Sequence, residues 1–333
     1  MRRAHLAITL VLVMALASCG GGPTSSAGGV ELRIVTTVSP ITSIAENIGG
    51  TRVRITGIVP EGVNSHTFEP PPSLAKTLAE ADLLIVNGLF LEEPALELAR
   101  TSLRPGVPVL SLGDSAIARD EWLFDFSFPG SGGRPNPHLW PDPVLALRYA
   151  GLIRAEFAKL DPENTSYYAG NYAAFSQQID RLDAAIRASV ASIPEKDRAL
   201  LTYHDSWAYF ARRYGLQVIG AVQPTDFSEP SAREVASLIE QVKALGVPAV
   251  FGSEVFPSPV MGQIARETGA AFVDQLRDDD LPGEPGGPRH SYIGLMVQNM
   301  EVMVAALGGD TSALSNIQTG FVFEGSPLTV YPQ

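Results

Sequence analysis

The sequence has 333 residues, 45% of them hydrophobic, and 24 Lys and Arg against 36 Asp and Glu give a formal net charge of −12. That length suits two domains at roughly 100–200 residues each, and 31 Gly with 26 Pro stay below the roughly 25–30% share that marks low-complexity chains. An acidic chain without a Lys/Arg run repels phosphate backbones, which argues against nucleic acid as a partner, and a single cysteine excludes an intrachain disulfide and a cysteine-based zinc site.

Arg2 and Arg3 precede an apolar stretch over residues 6–17. Crossing a bilayer takes roughly 20 apolar residues, so this stretch reads as the core of a signal peptide. It ends in Leu16-Ala17-Ser18-Cys19-Gly20, which resembles the bacterial lipobox, where the cysteine is acylated and becomes the new N-terminus. Residues 20–29 are Gly, Ser, Pro, Thr and Ala only, the composition of a flexible tether. The expectation is a signal peptide over 1–18, a lipidated Cys19 with its tether over 19–30, and an extracytoplasmic protein held to the membrane by that lipid.

Short runs rich in Val, Ile and Leu then recur at 32–38, 53–59, 83–87 and 107–110, and again at 199–203, 217–221, 249–252 and 271–274. Their apolarity is continuous rather than alternating, which predicts parallel strands buried on both faces. Helical patterns over 41–48, 73–81, 231–245 and 259–268 separate them. Two rounds of βα repetition predict an α/β protein of two doubly wound (β/α)4 lobes, over 31–160 and 195–333. Between them, Asp161-Pro162-Glu163 opens a run with Tyr168, Tyr172, Phe175, Ile179, Leu182 and Ile186 near helical spacing, closed by Pro194. This predicts one long rigid linking helix within 161–194, with a break near Gly170 as the alternative.

The five histidines are His5, His66, His138, His204 and His290; His5 leaves with the signal. His66 lies in the loop after the second strand. His204 follows the strand at 199–203. His138 sits in the proline-stiffened run Asn136-Pro137-His138-Leu139-Trp140-Pro141-Asp142-Pro143. Parallel α/β sheets place ligand sites beyond the carboxyl ends of their strands, so these three can converge on a metal in the cleft between the lobes. His290, after Gly286-Gly287-Pro288-Arg289, is expected at the surface.

Together these segments resemble the metal-binding solute-binding lipoproteins of bacterial ABC importers for zinc and manganese. The run 136–143 is similar to that family's Asn-Pro-His-x-Trp-x-Asp-Pro segment, His66-Thr67-Phe68-Glu69-Pro70 to its first-ligand motif, and Tyr203-His204-Asp205-Ser206-Trp207 to its third-ligand segment. Tyr292-Ile293-Gly294-Leu295-Met296 with Asn299 resembles its C-terminal signature. The resemblance implies metal ligands at His66, His138 and His204. It also implies an acidic fourth ligand about a dozen residues before Tyr292, namely Asp280, with Asp274 next and Asp278 and Asp279 adjoining. Glu69 and Asp205 are placed to orient imidazoles from behind.

Three imidazoles and a carboxylate suit Zn2+; Mn2+, which prefers more oxygen, is the alternative. The histidine-rich loop of many zinc importers is missing, because residues 119–137 contain no histidine. A zinc hydrolase is the rival class, but His-Glu-x-x-His and Gly-x-Ser-x-Gly are both absent. Nothing in the sequence speaks for or against a role in cell adhesion. The implied partners are a divalent ion, a membrane permease driven by a separate ATPase (this chain has no Gly-x4-Gly-Lys-[Ser/Thr] loop), and the membrane through Cys19. The chain is expected to act as a monomer.

Overall fold

The computed structural model describes residues 31–223, 228–253, 255 and 258–332. The signal segment and Cys19 lie outside these residues.

The first lobe is built on β1 (Leu32–Thr36), β2 (Val53–Gly57), β3 (Leu83–Val86) and β4 (Val109–Ser111). They pair in parallel in the order β4-β3-β1-β2, and a fifth strand, β9 (Leu328–Val330), joins the β2 edge, also in parallel. The second lobe has β5 (Ala199–Thr202), β6 (Gln217–Ala221), β7 (Ala249–Ser253) and β8 (Ala271–Leu276), in the all-parallel order β6-β5-β7-β8. All eight strands expected from the sequence are present. β9 was not foreseen: it is three residues long, and its register is set by the free edge of β2 rather than by a pattern of its own.

Helices cover both faces of each sheet, as continuous apolar strands require. α1 (Ser39–Gly49), α5 (Pro143–Leu160), α6 (Thr165–Ser192) and α10 (Tyr292–Ala306) bury their apolar faces in one core. That core holds Ile34 and Ile55 of the first sheet, Phe157, Phe175 and Ile186 of the helices, and Leu200 and Phe251 of the second sheet. Smaller clusters lie under the outer helices of each lobe. At about 1.5 Å per residue the 28 residues of α6 run roughly 42 Å, unbroken through Gly170.

Two helix starts near the cleft are fixed by side chains. Pro143 opens α5, and the Asp142 carboxylate accepts from Val144 N at 2.9 Å and Leu145 N at 3.3 Å. Arg213 of α7 (Ala208–Tyr214) pairs with the same carboxylate across the lobes. Ser291 caps α10 at Gly294 N, 2.9 Å. At the next residue Tyr292 N donates to Ser43 Oγ of α1 at 2.9 Å, and Tyr292 Oη donates to Trp140 O at 2.7 Å. The C-terminal helix is therefore tied to the first lobe as well as the second.

His290 departs from its expected surface position: it is 1% exposed. Its ring packs on Tyr331 at 4.7 Å between centroids, beneath the segment that β9 lays against the first sheet. Glu46 of α1 is buried under the same segment and accepts from Tyr331 Oη at 3.0 Å. Burial pushes its pKa up to about 7, against the lowering effect of bonds from Thr329 and Tyr331. A raised folded-state pKa contributes stability that is complete below about pH 4.5 and is lost as pH rises through 7. Glu46→Gln should therefore match the parent stability near pH 4 and exceed it above pH 7.5 by up to about 3 kcal/mol, measured by urea denaturation across that range.

Candidate metal centre

Each candidate histidine sits on a loop braced by short-range polar bonds. His66 N donates to Asn64 Oδ1 at 2.9 Å, closing a tight turn after β2. His138 N donates to Asn136 Oδ1 at 2.9 Å, and the same oxygen takes His138 Nδ1 at 2.8 Å. Asn136 Nδ2 donates to Asp125 Oδ2 and to Asp205 O, both at 2.7 Å. His204 follows β5; Thr202 Oγ1 donates to its carbonyl at 2.8 Å, and its Nδ1 lies 2.6 Å from Gln223 Oε1.

These bonds bring three Nε2 atoms together. His138 Nε2 is 3.1 Å from His66 Nε2 and 3.0 Å from His204 Nε2. His138 is fully buried and His204 is 3% exposed, while His66 is half-buried at the rim. Burial, reinforced by His204, holds the pKa of both His66 and His138 well below the ordinary histidine range. The rings are therefore neutral near pH 7. The Nδ1 atoms of His138 and His204 face the amide oxygens of Asn136 and Gln223, which turns their Nε2 atoms toward each other in position to bind one cation. Nitrogens bound at about 2.0–2.1 Å to a tetrahedral ion stand about 3.3–3.4 Å apart, close to the spacing found.

The acidic run Asp278-Asp279-Asp280 lies against this cluster and is buried throughout, at 4%, 4% and 6% exposure. Asp278 Oδ2 is 3.5 Å from His204 Nε2, and Trp140 Nε1 donates to Asp278 O at 2.7 Å. Asp279 Oδ2 accepts from Ser65 Oγ at 2.6 Å, while its Oδ1 is buried with no hydrogen-bond partner. Burial and the Asp278 charge push Asp279 up to about 7. Asp280, the residue favoured on sequence spacing, instead accepts from Gly62 N at 2.7 Å; burial and the nearby Glu61 raise it to about 7. It ties down the loop that carries His66. Asp274 is exposed on β8.

The two residues expected to brace imidazoles are placed otherwise. Glu69 is exposed and lines a surface cavity. Asp205 Oδ2 accepts from Ser127 N at 2.8 Å and faces Asp125, whose carboxyl is pushed up to about 9 by burial and by the Asp205 charge. The bracing falls to Asn136 and Gln223. Asn136 stood inside a recognised run, two residues before His138. Gln223 lies 19 residues beyond His204, past β6, and no local pattern marks it.

Comparison with known proteins agrees with this geometry. The profile of the family described as zinc-uptake complex component A, periplasmic, matches residues 34–306. The manganese-binding lipoprotein MntA of Halalkalibacterium halodurans is 29% identical over 301 residues, 90% of this chain and 97% of the relative. The zinc-binding protein TroA of Treponema pallidum is 28% identical over 302 residues, 86% of this chain and 92% of the relative. The solved structure of the periplasmic zinc-binding protein TroA from Treponema pallidum has a TM-score of 0.76, covering 83% of this chain and 99% of that one. A crystal structure of ZnuA, 28% identical, has a TM-score of 0.71 with 84% and 99% covered. The chain belongs to the periplasmic zinc-uptake component A family, and it is a substrate-binding component of an ABC importer for a divalent transition metal, not an enzyme.

Proposed function

We propose that the chain captures Zn2+ through His66, His138 and His204, with the acidic side of the site formed by Asp278 and Asp279. The observation that carries this reading is the convergence of three imidazole Nε2 atoms, two of them separated by 3.0 Å with both Nδ1 atoms engaged. Three nitrogens match zinc's preference better than that of manganese, which favours oxygen. Mn2+ is the alternative cargo: the paired carboxylates supply the oxygens it prefers, and the relatives at 28–29% identity include a manganese-binding and a zinc-binding protein. Asp280 acts on the site through Gly62, by holding the His66 loop. The loaded monomer, tethered through a lipidated Cys19, delivers the ion to a permease that a separate ATPase drives.

Elemental analysis of the mature protein, followed by competition for the stripped form, tests the cargo. About one zinc per chain that excess manganese does not displace is the expected result. Manganese held at equal strength would reverse the choice of ion, and tight binding of neither would overturn the reading. Replacing the Nδ1 acceptor in Asn136→Ala should weaken zinc binding by about 10–100-fold. Asp278→Asn and Asp279→Asn should each weaken it more than Asp280→Asn does; the reverse order would return the fourth ligand to Asp280.

Acid should oppose binding in two stages. Asp279, raised to about 7, must lose its proton to face the ion, so affinity falls as pH drops through 7, by about tenfold per unit for one proton. Because the pKa values of His66 and His138 are depressed, their protons compete only at lower pH, where the fall steepens. Zinc titrations between pH 8 and pH 5 against a fixed competitor measure both stages.

A further inference from the structure

Two sequence motifs hold no ion themselves, Trp140 in the run 136–143 and Tyr292 with Asn299 near the C-terminus, yet both converge on the acidic run. That run leaves β8 as irregular chain, so its main-chain groups must find partners outside a strand ladder or a helix. Asn299 of α10 supplies two of them. Arg277 N donates to Asn299 Oδ1 at 2.9 Å, and Asn299 Nδ2 donates to Arg277 O at 2.7 Å. One residue on, Trp140 Nε1 donates to Asp278 O at 2.7 Å. Three main-chain groups of two successive residues are thus bonded to side chains from elsewhere in the fold. Asn299, Trp140 and Asp278 are all buried, so a partner removed here leaves a buried polar group unpaired.

The two anchors are held by a common support. Tyr292 and Asn299 are seven residues apart on α10, about two turns, and therefore share one face of the helix. From that face Tyr292 Oη donates to Trp140 O at 2.7 Å while Asn299 grips Arg277. The helix start is fixed in turn by Ser43 of α1, which accepts from Tyr292 N.

The consequence is geometric. With the backbone fixed on both sides of its Cα, Asp278 keeps only its side-chain torsions, and its Oδ2 stands 3.5 Å from His204 Nε2. The Trp140 ring also lies edge-on to His138, at 5.1 Å between centroids. One indole therefore meets both parts of the donor set, packing on an imidazole and bonding the residue whose carboxylate faces another.

We propose that Trp140 and Asn299 are positioning residues for metal capture: they hold the backbone of Arg277 and Asp278 so that the Asp278 carboxylate faces the imidazoles, and neither touches the ion. This inference rests on the reading of Asp278 as part of the acidic side of the metal site. Released from these anchors, the run would leave the three histidines in place and lose the aim of its carboxylate.

The test compares zinc affinity of the stripped mature protein, titrated against a fixed competitor, for Trp140→Phe and Asn299→Ala in the parent and in Asp278→Asn. Phe keeps most of the apolar bulk and removes the N–H; Ala removes both bonds to Arg277. Each should weaken zinc binding by about tenfold in the parent. Each should weaken it by less than about twofold where Asp278→Asn is already present, because a residue that acts through the carboxylate loses its effect with it. A general structural role would lower affinity equally in both backgrounds, and equal losses would overturn the proposal, as would parent affinity in both single variants. Tyr292→Phe removes only the hydroxyl that holds Trp140 O and keeps the test open should either larger substitution prevent folding; its loss of affinity should likewise disappear in Asp278→Asn, and a loss that persists there counts against the proposal. Parent affinity in Asp278→Asn itself would overturn the underlying assignment of Asp278 to the site.

Discussion

Three imidazole Nε2 atoms gathered with His138 Nε2 only 3.1 Å and 3.0 Å from the other two are an unfavourable arrangement, and the rest of the site exists to enforce it. Left to relax, lone pairs at that distance would turn away from each other. They are kept facing by bonds behind the rings: Asn136 takes both the backbone and the Nδ1 of His138, and Gln223 takes Nδ1 of His204. Asn136 is itself fixed by Asp125 and by the carbonyl of Asp205. The bonds of Asn136 to the Asp205 carbonyl and of His204 to Gln223 join separate loops, so the donor set is a property of the packed loops as well as of the local Asn136–His138 motif. Charge follows the same logic. Burial holds His66 and His138 neutral, and the carboxylate of Asp278 stands 3.5 Å from His204 Nε2. A divalent ion is the group that satisfies both at once.

Holding those loops requires lobes that do not drift apart. A single hydrophobic core continues from the first sheet through α5, α6 and α10 into the second. Arg213 and Asp142 bridge the lobes beside it, as do Tyr292 and Trp140. A rigid-body hinge would have to open apolar surface along this core at about 25 cal/mol per Å². The loops carry no such cost, and His66 at the rim is the most exposed of the three histidines. Its loop is attached to the acidic run at successive points, Gly62 N to Asp280 and Ser65 Oγ to Asp279. The His66 loop and the acidic run are thus joined by direct bonds.

Most of the architecture was legible in the sequence because parallel strands buried on both faces leave a continuous apolar trace, and all eight such runs became strands. The long helix was legible for a related reason: Tyr168, Phe175, Ile179, Leu182 and Ile186 repeat at the spacing of a helix that buries one face over its whole length. β9 and the burial of His290 were not, since a three-residue edge strand has no period to detect and covers His290 only through a pairing with β2, far away in sequence. His66 and His204 were legible from loop position after strands, and His138 from the proline-stiffened run that opens α5. The bracing residues divide by distance along the chain: Asn136 is local to His138, whereas Gln223 meets His204 only because β5 and β6 are neighbours. Spacing relative to Tyr292 selected Asp280, but adjacent residues on an irregular segment point in different directions. Backbone direction, which spacing does not encode, turns Asp280 toward Gly62 and Asp278 toward His204.

That same irregular segment explains why the site is suited to capture rather than to chemistry. A catalytic zinc keeps one position open for water and a base beside it. Here a single run of buried carboxylates reaches the cluster at Asp278, 3.5 Å from His204 Nε2, and two of the three, Asp279 and Asp280, are raised to about 7. A base of that strength would be useful to a hydrolase only if it could reach a bound water. Asp280 is committed to Gly62 N, and Asp279 divides between Ser65 and the ion it is proposed to face. A donor set of the proposed kind would gain an ion by releasing a proton, which is the behaviour that reversible capture of a cation demands.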